Sequence, residues 1–188
     1  VMEIAKRHSL YVLEDAAQAL LSKYKDKYLG TIGHLGAISF HDTKNITSGG
    51  EGGLLLINDQ AFLERAEIIR EKGTNRKQFL DGQIDKYSWT DIGSSYLSTE
   101  LQSAFLLGQL EQSSFITNKR LKLWDFYYEA LTPLQENGFL RMPIIHNHRM
   151  HNAHIFFILL QNKNQRRDLI NYLKSKNITS VFHYIPLH

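Results

Sequence analysis

The sequence predicts an α/β fold, in which short apolar strands alternate with helical stretches. Three observations support it. Leu10 to Leu13, Gly36 to Phe40 and Leu54 to Ile57 are apolar runs of strand length. Glycines and polar residues punctuate them as turn-forming residues do. After the third run the period changes: Phe62, Ala66 and Ile69 fall at i, i+4 and i+7, with Gly73 placed as a helix terminator. With 188 residues, 43% hydrophobic and 22% charged, the chain can bury a core in one large domain or two small ones.

Taken in order, Val1 to His8 reads as the end of an amphipathic helix, and Leu10 to Leu13 as a buried strand that meets its first charges at Glu14 and Asp15. Ala16 to Leu21 has the composition of a helix start. Tyr24 to Gly33 reads as loop, and Gly36 to Phe40 as a second buried strand leading into His41 to Lys44. The glycines at 49, 50, 52 and 53 suit a hairpin, because glycine supplies positive φ at no steric cost. Asn58 and Asp59 are cap candidates for the helix carrying Phe62. Thr74 to Ser95, polar and containing Tyr87 and Trp89, is a long connection of the kind that carries function.

Thr99 with Gln102 three residues on fits a capping box, and Leu101, Phe105 and Gly108 then hold one helix face. Leu121, Trp124, Tyr128 and Leu131 continue at helical spacing until Pro133, as one long helix or two; the aromatic face at Trp124 and Tyr128 reads as core or domain contact. Ile155 to Leu160 reads as a strand, Arg166 to Lys176 as a helix with Leu169 and Leu173 inward, and Thr179 to Ile185 as a strand. A boundary between residues 130 and 140 is expected. Both ends read as internal to a longer protein, since Val1 to Arg7 resembles mid-helix and His188 follows an apolar run directly.

Composition narrows the chemistry. There is no cysteine, which excludes disulfides, thiolate metal sites and a cysteine nucleophile, and is compatible with the cytoplasm. The net charge of +3 is scattered, so neither a nucleic-acid arm nor a polybasic anchor is expected, and no apolar run approaches membrane-spanning length. His146, His148, His151 and His154 lack a nearby carboxylate to complete a ligand set, and no metal is expected.

In open sheets with crossover connections, ligands collect beyond the carboxyl ends of the strands. Asp15 and Lys44 both stand just past such ends. A lysine there has three readings: a solvated surface charge, a phosphate partner, or an amine that bonds a carbonyl compound. Asp15, Ser39, Gln18 and the Gly49 to Gly53 turn supply the group types that hold pyridoxal phosphate, which needs a ring-nitrogen partner, phosphate donors and a lysine.

Glu14-Asp15-Ala16-Ala17-Gln18, then Ser39-Phe40-His41-Asp42-Thr43-Lys44-Asn45, then Gly50-Glu51-Gly52-Gly53 resemble, in order, three signatures of the DegT/DnrJ/EryC1/StrS sugar aminotransferases, which act on nucleotide-linked keto sugars. Residues 70–76, 89–96 and 181–188 are similar to the branch that aminates dTDP-4-keto-6-deoxy-glucose to dTDP-4-amino-4,6-dideoxy-galactose for cell-surface polysaccharide synthesis. The resemblance covers essentially the whole chain. It implies a fold-type I pyridoxal-phosphate-dependent aminotransferase: residues 1–130 would be the C-terminal part of the large α/β/α domain with the connecting helix, and 131–188 part of the small α/β domain.

It also implies roles. Lys44 would bond the cofactor's aldehyde and shuttle a proton, where histidine would mark a dehydratase. Asp15 would pair with the pyridine nitrogen through a charge-assisted hydrogen bond. Gln18 would lie against the ring or its phenolic oxygen, and Ser39 would donate to the phosphate. His183 and Tyr184 would face the sugar, or else simply close a strand. The family's Gly-x-Asn-Tyr-Arg appears here as Gly93-Ser94-Ser95-Tyr96-Leu97, so Ser95 stands where an asparagine reaches the cofactor of the partner subunit in a homodimer. Glutamate would supply the amine to a dTDP-linked keto sugar. The alternatives are a truncated, inactive fragment that binds cofactor or partner, and the same chemistry on another nucleotide sugar.

Overall fold

The computed structural model describes residues 1–185; residues 186–188, the end of a segment used in the comparison above, lie outside the described residues. The chain divides into two compact units, residues 1–121 with 145–154, and residues 122–144 with 155 onward.

The first unit opens with helix α1 (Met2–Arg7) and strand β1 (Leu13–Asp15). The strand starts three residues later than the apolar run suggests. Leu10 is taken up by the helix end, where its N–H bonds Ala5 O at 2.8 Å, and Tyr11 packs edge-on against His34 and Phe62. Residues 16–21 form turns instead of a helix, closed by Ala19 N–H to Ala16 O, and Leu21 at φ +64° breaks any helical continuation. The expected loop contains a hairpin, β2 (Lys23–Tyr24) and β3 (Lys27–Tyr28), turning at Lys25 and Asp26, both at positive φ as a two-residue turn demands.

Strand β4 (Leu35–Ser39) pairs parallel with β1 and antiparallel with β5 (Gly53–Ile57), giving the order β1-β4-β5. The β1–β4 register sets Glu14 beside Gly36 and Asp15 beside Ala37. In-register neighbours in a sheet share a face and successive residues alternate, so Asp15, Ala37 and Ser39 lie on one face, with Glu14, Gly36 and Ile38 on the other. Ile38 joins Ala16, Phe40 and Ile46 in the buried core, with Leu20, Leu56, Leu106 and Ile116 against it.

A parallel pair needs a crossover, usually a helix. Here residues 16–34 do that work without one, and side chains tie them down. Glu14 accepts N–H bonds from Gly30 at 2.9 Å and from Ile32 and Gly33 at 2.6 Å each. Asn58 donates to the carbonyls of Gly30 and Gly33, both at 3.0 Å. The approach is so close that a Cβ on Gly36 would stand 2.2 Å from Gly30 O, which explains the glycine.

Asp59 caps a short 3-10 turn leading into α2 (Leu63–Arg70), which closes at Gly73, φ +76°. The long connection after it holds a short helix, α3 (Arg76–Leu80), and is pinned by bridges between Thr74 and Trp89 and between Glu71 and Ser95. Asp91 accepts from Arg65 Nε at 2.8 Å and from Ile92 N–H at 2.7 Å; the Ile92 bond first and then Arg65 hold its carboxyl below the usual range.

The capping box forms at α4 (Glu100–Glu111), and Gln112 separates it from α5 (Ser113–Glu136), so the long helical stretch is two helices. Leu101 and Phe105 are exposed while Leu106 reaches the core and Gln102 bonds Glu51 O at 3.2 Å. Apolar residues lie all round this helix, so periodicity alone does not select a face. Residues 145–154 return to the first unit, where β6 (Arg149–Met150) pairs with β2.

In the second unit, α5 passes Pro133 and ends at Glu136, because the proline removes a single hydrogen bond and Thr132 Oγ1 bonds Tyr128 O at 2.8 Å beside it. Trp124 is buried, stacks on Tyr128 with ring centroids 5.1 Å apart and donates Nε1–H to Ile155 O at 3.2 Å. Helix α6 (Lys163–Ser175) is capped by Asn162. The strands expected at 155–160 and 179–185 do not form. Leu159 makes one bridge with Arg141, and no ladder engages 179–185 among the described residues, since an apolar run without a paired neighbour has no strand to join.

Glu14→Ala should lower stability by about 2–3 kcal/mol in denaturant unfolding, as three backbone donors lose a charged acceptor. Asp91 contributes stability above the ordinary carboxylate pKa of about 3.9 that is lost as pH falls through its lower folded value. The stability gap between the wild type and Asp91→Asn should therefore close on acidification below about pH 4, in melts compared across pH.

Candidate active site

Lys44 is fixed by the loop that follows β4. Its N–H bonds His41 O at 3.0 Å, closing a tight turn straight off the strand. Two residues later Ile46, 2% exposed, plugs the core. Ser48 then returns the chain: its N–H bonds Phe40 O at 2.9 Å, and its hydroxyl lies 2.8 Å from Glu51 O and 3.1 Å from Phe40 O. Gly49 takes positive φ, with Phe105 of α4 packed 3.3 Å from where a Cβ would stand. Core burial on one side of Lys44 and strand pairing on the other leave its backbone little freedom.

The lysine lines a small crevice with Ala17, Gln18, Leu20, Ser39, Asn45, Ile46, Asn152 and His154. The crevice encloses about 10 Å³, the size of one water, so it is not an enclosed chamber. Among the described residues no carboxylate lies within ion-pairing distance of Lys44 Nζ.

Three expected site residues, Gln18, Ser39 and Lys44, thus meet. Ser39 Oγ accepts the His41 N–H at 3.3 Å, which leaves its own proton for an acceptor in the crevice. Asp15 is exposed at the carboxyl end of β1, on the sheet face of Ser39. One carboxylate oxygen accepts the Ala17 N–H at 3.1 Å, and the other has no partner among the described residues. Ser95 is exposed in the bridge with Glu71 and does not line this crevice; the role expected of it concerns a partner's site. His183 and Tyr184 lie in the second unit, exposed, with ring centroids 4.1 Å apart and Tyr184 at φ +77°.

Sequence reasoning missed Asn45, Asn152 and His154. Asn152 and His154 are remote in sequence and reach the crevice through the return of residues 145–154; the adjacency of Asn45 to Lys44 was the one available signal. The histidines at 146, 148, 151 and 154 do not assemble a metal site: among the described residues no group of three or more His, Asp or Glu could hold an ion. His154 Nδ1 instead meets Asn45 Oδ1 at 3.0 Å. Among the described residues no helix is long and apolar enough to cross a membrane.

Residues 1–188 match the DegT/DnrJ/EryC1/StrS aminotransferase family. The chain belongs to this family. It is 34% identical over 194 residues to protein MJ1066 of Methanocaldococcus jannaschii, covering 100% of this chain and 49% of the relative. With GDP-perosamine synthase of Escherichia coli O157:H7 the identity is 31%, over 100% of this chain and 48% of that protein. Helicobacter pylori PseC, an aminotransferase involved in the biosynthesis of pseudoaminic acid, superposes with a TM-score of 0.84 at 27% identity, covering 100% of this chain and 48% of PseC. The chain therefore spans about half the length of the curated relatives it matches, and its fold is that of the family's pyridoxal-phosphate aminotransferases.

The family uses pyridoxal 5′-phosphate, and the residue types along the crevice are compatible with that group. It offers a lysine amine without an ion-pair partner among the described residues, a hydroxyl with a proton to give and a side-chain amide. On the same sheet face as that hydroxyl stands a carboxylate with one oxygen that has no partner among the described residues.

Ile46→Ala should cost about 2–5 kcal/mol in chemical denaturation, because a fully buried isoleucine leaves a cavity directly beneath the lysine loop.

Proposed function

We propose that this chain carries the cofactor-binding lysine and part of the site of an enzyme that moves an amino group from glutamate to C4 of dTDP-4-keto-6-deoxy-D-glucose. The product would be dTDP-4-amino-4,6-dideoxy-D-galactose. One observation carries the proposal: Lys44 shares its crevice with Gln18 and Ser39 at the carboxyl end of β4, and the parallel register sets Asp15 on the face of Ser39 at the adjacent strand end. Family membership supports amino transfer between an amino donor and a nucleotide sugar. The dTDP sugar follows from the similarity of residues 70–76, 89–96 and 181–188.

Bound there, pyridoxal phosphate would supply an electron sink for the carbon that loses a proton. Asp15 would hold a proton on the ring nitrogen, since a carboxylate beside a cationic N–H favours the charged form. Ser39 would donate its hydroxyl proton to a phosphate oxygen. Gln18 would fix the ring's orientation through its side-chain amide. Lys44 Nζ would take up the proton and return it, the general acid–base role open to an amine at the reacting carbon. The crevice is not an enclosed chamber, so exclusion of water would need further surfaces. A homodimer in which one subunit completes the site of the other would use the exposed Leu101 and Phe105 as contact surface, with Ser95 standing in place of the asparagine that would reach the partner's cofactor. His183 and Tyr184 would contact the sugar, and the setting would be the cytoplasm, where glutamate and nucleotide sugars are at hand.

Treating the full chain with pyridoxal phosphate and then borohydride should leave a pyridoxyl group on Lys44 in peptide mass mapping; label confined to other lysines would sink the assignment. Where turnover with glutamate is measurable, Lys44→Ala should lower it by about a thousandfold or more. In a panel of dTDP-, UDP- and GDP-linked 4-keto sugars, the dTDP sugar should react best; preference for another would retain amino transfer and replace the substrate.

A further inference from the structure

The return of residues 151–154 to the crevice brings in a connected set of hydrogen bonds. Asn152, 4% exposed, donates both Nδ2 hydrogens, to Gln18 O and Leu20 O at 2.9 Å each, and its Oδ1 accepts the His154 N–H at 3.1 Å. Its backbone carbonyl receives Asn45 Nδ2 at 2.8 Å, and Asn45 Oδ1 meets His154 Nδ1 at 3.0 Å. Because Asn45 Nδ2 is committed to a carbonyl, Oδ1 is the acceptor and His154 Nδ1 the donor. Arg120 holds the same segment from α5, donating to Ala153 O at 3.2 Å and to His154 O at 2.9 Å, with burial lowering the guanidinium pKa. From the Gln18 carbonyl to Asn45, the neighbour of Lys44, every link is a hydrogen bond.

We infer that Asn45, Asn152 and His154 are positioning residues, a strut that holds the backbone of Lys44 against the Gln18 turn and so sets where the amine stands in the crevice. A lysine stem is flexible, so the reach of its amine depends on where its Cα is fixed. Asparagine suits the task because one uncharged amide both donates and accepts. Ile46 fixes the loop by burial on the far side of Asn45; the strut fixes the near side.

The inference rests on the role proposed for Lys44, yet its test needs neither cofactor nor sugar. The full chain is treated with a trace of an amine-acylating reagent across pH, and labelling of Lys44 is read against exposed Lys86 by peptide mass spectrometry. Asn45→Ala, which removes both side-chain hydrogen bonds of the residue, should change the ratio by about fivefold or more. Asn45→Asp keeps the acceptor for His154 but sets an oxygen against the Asn152 carbonyl; it should shift the ratio in the same direction, and it serves alone if the alanine variant does not fold. Asn58→Ala, which removes the ties to Gly30 and Gly33, should lower thermal stability and leave the ratio unchanged. An unchanged ratio in the foldable Asn45 variants, or an equal shift in Asn58→Ala, overturns the inference. A failed pyridoxyl label on Lys44 would instead overturn the proposed function and leave the strut standing.

Discussion

The carboxylate of Glu14 carries the heaviest structural burden in the first unit. A parallel strand pair joined by residues 16–34 without a crossover helix has no helical hydrogen bonds to stiffen the connection, and one side chain supplies the substitute by accepting three consecutive-region N–H bonds from Gly30, Ile32 and Gly33. Asn58, just past the end of β5, completes the tie. Gly36 is then obligatory, since the tethered loop lies against the strand with no space for a side chain.

That tether has a consequence on the other face of the sheet. With Glu14 committed to the loop, alternation turns Asp15 to the opposite face, beside Ala37 and in line with Ser39. A structural carboxylate and a candidate functional one are therefore adjacent in sequence and separated by the sheet. The acidic pair is a single device: one member holds the strand in register, and the register aims the other.

The lysine loop follows a similar division of labour. Ile46 and Ser48 are buried and fully engaged, while Lys44 between the turn and the plug faces the crevice. Rigid residues on both sides of a flexible side chain are what positioning of a reactive amine requires, because the entropy of the stem is then the only freedom left. The hydrogen bonds of Asn45 and Asn152 extend this rigidity to the Gln18 turn.

The ordered motifs at 14–18, 39–45 and 50–53 made the family legible and marked Asp15, Gln18, Ser39 and Lys44 as candidates, because the local chemistry of a strand end and a glycine turn is written in consecutive residues. The helix cap at Thr99 and the strand at Gly36 to Phe40 were legible for the same reason. Tertiary structure decided what depends on partners. Leu10 and Tyr11 left the strand for contacts with α1, His34 and Phe62; the runs at 155–160 and 179–185 found no ladder among the described residues; α4 turned Gln102 and Leu106 toward the sheet and core and left Leu101 exposed. Asn152 and His154 were invisible because a hydrogen bond across more than a hundred residues leaves no local pattern. The sequence determined which groups the crevice could use, through residue type and order; the fold alone decided which of them meet, through register and burial.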